Sequence, residues 1–143
     1  MTYYAYVAVQ EKVGAVALFR ADCTEVWHRK FDINQDTAAK YNVWFDGCNV
    51  LLNCLRDSTM HGDIKADDIV HINLPVYVMY KWLTGAKPPI KYTLQKDKLV
   101  DGLQRVSCTL EVTPMFGTPN RALQFCNAEA YTDVLTAFAE SNN

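Results

Sequence analysis

Residues 69–85 read IVHINLPVYVMYKWLTG, and the chain changes its period in the middle of them. Ile69 to Leu74 form an apolar run without helical spacing, which predicts a buried central strand. Pro75 lacks an N–H, and the first turn of a helix is where that donor would have had no partner anyway. A helix therefore follows, with Val76, Met79, Trp82 and Leu83 on its inner face and Gly85 as its stop. Pro88 and Pro89 forbid any continuation.

Upstream, residues 37–55 read TAAKYNVWFDGCNVLLNCL. Tyr41, Trp44, Phe45, Cys48, Leu51, Leu52 and Leu55 recur three or four residues apart, the spacing of one helical face. Asp36 or Thr37 can cap this helix, which should run to about Arg56, with Asp57-Ser58 and Gly62 marking its exit. Gly47 weakens it by about 1 kcal/mol relative to alanine, a cost that makes sense if this face approaches the sheet closely. Nearer the N-terminus, YYAYVAV (3–9) and VGAVALF (13–19) flank Gln10-Glu11-Lys12 and predict a β-hairpin. The more polar run 24–31 adds an edge strand with one wet face, completing a meander. Its charges Glu25, Arg29 and Lys30 resemble the protection that keeps an edge solitary.

Downstream, Leu99, Val100 and Leu103 predict a helix over 93–105, and Val106 to Val112 alternate as a strand does. Pro114, Gly117 and Pro119 break the chain. A last helix is expected near 128–140, with Tyr131, Val134, Leu135 and Phe138 facing inward.

The chain has 143 residues, half of them hydrophobic and 21% charged, enough for one core and one domain over 1–143. The opening MTYYAYVAVQEKVG has no basic start, and no apolar run approaches the roughly 18 residues a membrane span needs. Five scattered cysteines without a CxxC pair do not make a disulfide framework. These features predict a soluble, cytoplasmic domain of a reducing compartment. A formal charge of −2 gives no general attraction to phosphate or anionic lipid, so any nucleic-acid binding must come from a local patch.

The order β-β-β-α-β-α-(α)-β-α resembles the ribonuclease H-like fold over the whole chain. The stretch 37–55 is similar to that family's first helix, and 69–85 to its fourth strand and following helix. The resemblance implies an α/β architecture, a five-stranded mixed sheet flanked by helices. It also implies a place for chemistry. The family's enzymes cut a phosphodiester by two-metal catalysis, with carboxylates converging from the first strand, the first helix, the end of the fourth strand and the last helix. Two Mg²⁺ ions about 4 Å apart repel unless several anionic oxygens neutralise them.

At the matching positions this chain carries Val7 or Ala8, with Gln10 the first polar residue beyond, then Lys40 before Tyr41, and then Pro75-Val76 or Leu74. Glu129 is the carboxylate left, near the last helix. A lysine in place of a glutamate removes a ligand and puts an ammonium where a cation should sit. The expectation is a degenerate member with no catalytic residues, no metal pair and no cleavage of an RNA–DNA hybrid.

Other residues invite weighing. Asp63, Asp67 and Asp68 cluster before the fourth strand, but lack the glycine and the bidentate glutamate of a calcium loop, so a solvated loop is the better reading. His28, His61 and His71 could serve a cysteine as base, yet no spacing selects a pair. Cys48 and Cys54 lie about 240° apart around one helix and cannot share a ligand. No glycine-rich phosphate loop occurs, and no cofactor is expected.

Lys87, Lys91, Lys96, Lys98 and Arg105 stand against Asp97 and Asp101, a local surplus of three positive charges beside Tyr80, Trp82 and Tyr92. That segment is a candidate nucleic-acid surface, although a solvated helical face is the plainer reading. Tyr4 and Tyr6 share a face of the first strand, and Trp27 is expected with them or one strand away, a candidate protein interface if helices do not cover it. The sequence thus favours a non-catalytic binding module, an adaptor or inhibitor of a protein partner. A nucleic-acid binder using 87–105 is the main alternative, and an enzyme with an unrecognised site the second.

Overall fold

The computed structural model describes residues 1–33 and 41–126. Its meander is the one the alternation predicts. Strands β1 (Thr2–Gln10), β2 (Val13–Arg20) and β3 (Glu25–Asp32) pair antiparallel in sequence order. The hairpin turns through Glu11 and Lys12, with Glu11 at φ 55°, a left-handed backbone that a glycine would adopt more readily.

Helix α1 (Asn42–Met60) then crosses the sheet and delivers β4 (Ile69–Leu74), which pairs parallel to β1 with Tyr3 beside Val70 and Tyr6 beside Asn73. Helix α2 (Tyr77–Leu83), a 3₁₀ turn at Ile90–Tyr92 and helix α3 (Thr93–Gln104) lead to β5 (Thr109–Pro114), parallel to β4. A short helix, α4 (Leu123–Cys126), ends the described chain. The sheet order is β3-β2-β1-β4-β5.

Four boundaries differ from the expectation. Helix α2 starts at Tyr77 with the extended Val76 at its N-cap, so Pro75 stands before the helix and not in its first turn. Helix α1 runs on to Met60, because Ser58 is drawn into the core edge and its hydroxyl accepts the Trp27 Nε1–H at 2.9 Å. The fifth strand starts at Thr109 instead of Val106, whose side chain is spent on the core. Helix α4 begins before the expected last helix. The 128–140 helix itself, and the proposed caps Asp36 and Thr37, lie outside the described residues.

The sheet buries both faces. Under α1, α2 and α3 lie Tyr3, Ala5, Val7, Val16, Leu18, Val70, Ile72 and Leu74, packed against Phe45, Leu51, Leu55, Met79, Trp82, Tyr92 and Leu99. On the opposite face Tyr6, Ala8, Ala15, Ala17 and Phe19 meet Ala122 and Cys126. Gly47 is where α1 touches the sheet: a Cβ there would stand 2.7 Å from Val7 Cγ2 and 3.2 Å from Phe31 Cζ. Close approach, as the helical face predicted, outweighs the propensity cost.

Asp68 ties the β4 entrance together. One carboxylate oxygen accepts the Lys65 N–H at 2.8 Å and the other meets the Met1 ammonium at 2.9 Å. The Lys65 bond first, and then the amino group, hold its pKa below the ordinary 3.8. A folded-state pKa that is depressed gives stability complete above the ordinary value and lost as pH falls through the folded one. Asp68→Asn should therefore be less stable than the parent at pH 7, with the gap closing in acid; equal urea midpoints at pH 7 would contradict this.

Candidate functional site

The carboxyl ends of β1 and β4 lie side by side, the place where a sheet of this order presents side chains to a ligand. Here they present hydrocarbon. Val7 is 0% exposed and Leu74 2%, both within the core under α1, and Ala8 is buried on the other face. Pro75 is half-buried and starts the turn into α2. The polar groups nearby are carboxamides. Asn73 Nδ2 donates to the Ala5 carbonyl at 3.3 Å, and Asn120 Nδ2 donates to the Val7 carbonyl at 3.0 Å. Asn120 Oδ1 accepts the Ala122 N–H at 3.2 Å, so this side chain staples α4 to the end of β1.

A pair of Mg²⁺ ions needs several anionic oxygens, and the buried side chains of Val7, Ala8 and Leu74 supply none. Among the described residues no group of three or more His, Cys, Asp or Glu stands close enough to hold a metal ion. Lys40 and Glu129 lie outside the described residues.

The five-stranded mixed sheet with its flanking helices matches the fold of solved structures. The crystal structure of RNase H1 from the halophilic archaeon Halobacterium salinarum NRC-1 superposes with a TM-score of 0.60 at 18% identity, covering 92% of this chain and 97% of that one. The chain has a ribonuclease H-like fold. The N-terminal RNase H domain of rv2228c from Mycobacterium tuberculosis gives a TM-score of 0.60 at 16% identity over 99% of both chains. LC11-RNase H1 in complex with an RNA/DNA hybrid gives 0.56 at 13% identity, over 89% and 94%. No protein-family model and no curated protein matches the chain.

On this ribonuclease H-like fold the basic segment occupies the 3₁₀ turn, α3 and the loop before them. Lys87, Lys91, Lys98 and Arg105 are exposed and Lys96 is half-buried. Its expected stacking rings are elsewhere. Trp82 is 6% exposed and Tyr92 2%, both in an aromatic cluster with Phe45 and Tyr41. Neither ring can stack on a base, because the helix turns them under the sheet. Lys91 Nζ lies 5.2 Å from the Tyr92 ring centre, and Arg105 pairs with Asp101 at 2.8 Å.

The expected protein interface is also corrected. Tyr6 is buried, and Tyr4 is half-buried and stacked on His71 at 5.2 Å. Trp27 pairs across from Leu18 and so joins the α1 face, opposite Tyr4 and Tyr6. The tyrosine and tryptophan rings cannot form one surface.

The histidines are each engaged. His28 stacks on Phe125 at 3.9 Å and meets Glu25 at 3.1 Å, and His71 Nδ1 lies 3.3 Å from Glu111. His61 bonds the Asp57 carbonyl at 2.7 Å. His61 and Cys54 line one cavity of about 310 Å³ with Trp27, Arg29, Asp57 and Asp63. Burial raises the Cys54 thiol pKa, which works against a thiolate nucleophile. Burial pushes the Cys48 thiol up to about 12, and the Cys108 and Cys126 thiols rise for the same reason. All five cysteines are free, and Cys23 is exposed. A thiol reagent should therefore label Cys23 first and Cys48 last in the native protein; mass mapping that finds Cys48 modified before Cys23 would contradict this burial.

Three features escaped the sequence reading. Tyr77 (51% exposed) and Phe116 (69% exposed) bring their rings to 5.3 Å on the surface. Asn49, Asn53 and Arg56 of α1 share a groove with Lys98, Asp101 and Arg105 of α3. Their spacing along each helix was visible, but only the packing of α1 on α3 brings the two stripes together. Asp68, grouped above with a candidate cation loop, instead caps a turn and holds an amino group. Among the described residues no helix is long and apolar enough to cross a membrane.

Proposed function

We propose that this ribonuclease H-like domain works by binding without two-metal cleavage, and that its ligand is a nucleic acid held along α3 and the loop before it. The burial of Val7 and Leu74, the residues that the resemblance matches to metal-ligand positions, supports the first half. Lys40, where a carboxylate would be needed, supports the same reading.

For the ligand, the support is the array of exposed cations at Lys87, Lys91, Lys98 and Arg105 on a chain that is acidic overall. A structural neighbour was solved with an RNA/DNA hybrid. Neutralised phosphates release counterions, so such binding must weaken steeply with salt. Because Trp82 is buried, tryptophan quenching is a poor reporter, and anisotropy of end-labelled single-stranded DNA, single-stranded RNA and hybrid is preferred. Affinity should fall between about 50 and 200 mM salt, and Lys87→Gln with Lys91→Gln and Lys98→Gln should reduce the salt slope by about 2–3. No retention of any probe at the lower salt would remove this ligand.

A second reading, an adaptor or inhibitor of a protein partner, is favoured by the exposed Tyr77–Phe116 pair, since rigid rings supply contact area at little entropic cost. Co-purification that is lost with Phe116→Ser would favour it, and unchanged co-purification would set it aside.

A further inference from the structure

We infer that the groove between α1 and α3 is a seat for the phosphodiester backbone, distinct from the sheet end where the fold's chemistry would lie. The inference rests on the nucleic-acid reading above and gives it a location.

Asn49, Asn53 and Arg56 follow one another at steps of four and three residues, so they line one face of α1. Lys98, Asp101 and Arg105 follow at steps of three and four along α3 and its C-cap. The two helices pack closely at Gly102, where a Cβ would come within 3.1 Å of Leu52 Cδ1, and the stripes therefore border one groove of about 250 Å³. It offers three cations and two carboxamides against a single carboxylate.

The charges are not all spoken for. Asp101 is bound to Arg105 at 2.8 Å, whereas Arg56 and Lys98 form no ion pair among the described residues. A carboxamide can donate to a phosphate oxygen without adding charge, and a guanidinium matches two such oxygens at once. Seven residues of helix span about 10 Å. A strand advancing about 3.4 Å per phosphate would place two or three phosphates along that length. The anion wanted here is repeated and extended, because a single small phosphate would reach only part of the donor set.

Asp101 gives the inference a sharp consequence. Its carboxylate neutralises Arg105 and repels an incoming phosphate, so it restrains affinity. Removing it frees a third cation.

The test compares Arg56→Gln/Lys98→Gln, Lys87→Gln/Lys91→Gln and Asp101→Asn in oligonucleotide anisotropy, with circular dichroism and thermal melts confirming the fold of each. The groove pair should lose at least about tenfold in affinity near 50 mM salt, with the salt slope smaller by about 1.4–1.8. The Lys87/Lys91 pair should lose less, and Asp101→Asn should bind several-fold tighter than the parent. Loss confined to the Lys87/Lys91 pair, with the groove pair at parent affinity, would overturn the groove and leave the nucleic-acid reading standing. A parent that binds no probe would overturn both. Weaker binding by a folded Asp101→Asn variant would also overturn the groove, since its carboxylate would then be helping.

Discussion

Phe45→Ala should lower the stability of this domain by about 3–5 kcal/mol, a large part of the roughly 5–15 kcal/mol that a domain of this size has in total. Phe45 is 1% exposed and sits in the first turn of α1, within the core between the helices and the sheet. Its ring stacks nearly parallel on Trp82 at 6.2 Å and tilts against Tyr92 at 5.9 Å. Those two belong to α2 and to the turn before α3, so one ring joins three segments of the helical layer. Truncation leaves a void that large rigid neighbours cannot close, which places the cost at the upper end for a core aromatic. Urea unfolding followed by far-UV circular dichroism measures it, with the slope unchanged and the midpoint lowered. A loss below about 1 kcal/mol would mean the aromatic cluster is loosely packed.

Val7→Asp should be more costly still, and its cost should depend on pH. Val7 is wholly buried, with Gly47 of α1 pressed against it. A carboxyl group buried there has its pKa raised by about 3–5 units, or about 4–7 kcal/mol at neutral pH for the ionised form. The sign follows from linkage: a folded-state pKa raised above the unfolded one destabilises fully above the raised value, and the penalty shrinks as pH falls toward about 4. The variant should unfold or melt far lower at pH 7 and recover partly at pH 4.5. If this place were instead an open metal cleft, the aspartate would be tolerated at pH 7 and added Mg²⁺ would raise the melting temperature.

Most of the fold was legible because its signals are local. The run Ile69–Leu74 became a strand residue for residue, since an apolar stretch of six before a proline has few other uses. Gly47, a propensity cost in α1 that close approach to the sheet would explain, is that contact point, because propensity describes an isolated helix while packing decides within a layer. The site was read less well. Trp82 and Tyr92 lie beside lysines in sequence, yet a helix turns consecutive residues by about 100°, so a ring can face the core while the lysine next to it faces out. Trp27 went to the wrong face because parity along β3 is set by its pairing with Leu18, and the ladder shifts register beside that residue. The α1–α3 groove depends on two helices far apart in sequence and had no local signature.

The most direct test of the central claim is a cleavage assay on end-labelled RNA–DNA hybrid with saturating Mg²⁺ or Mn²⁺, run beside a binding measurement on the same preparation. Salt-sensitive binding with the hybrid left intact in both metals is the expected result. Metal-dependent cleavage that disappears on Glu129→Gln would contradict it.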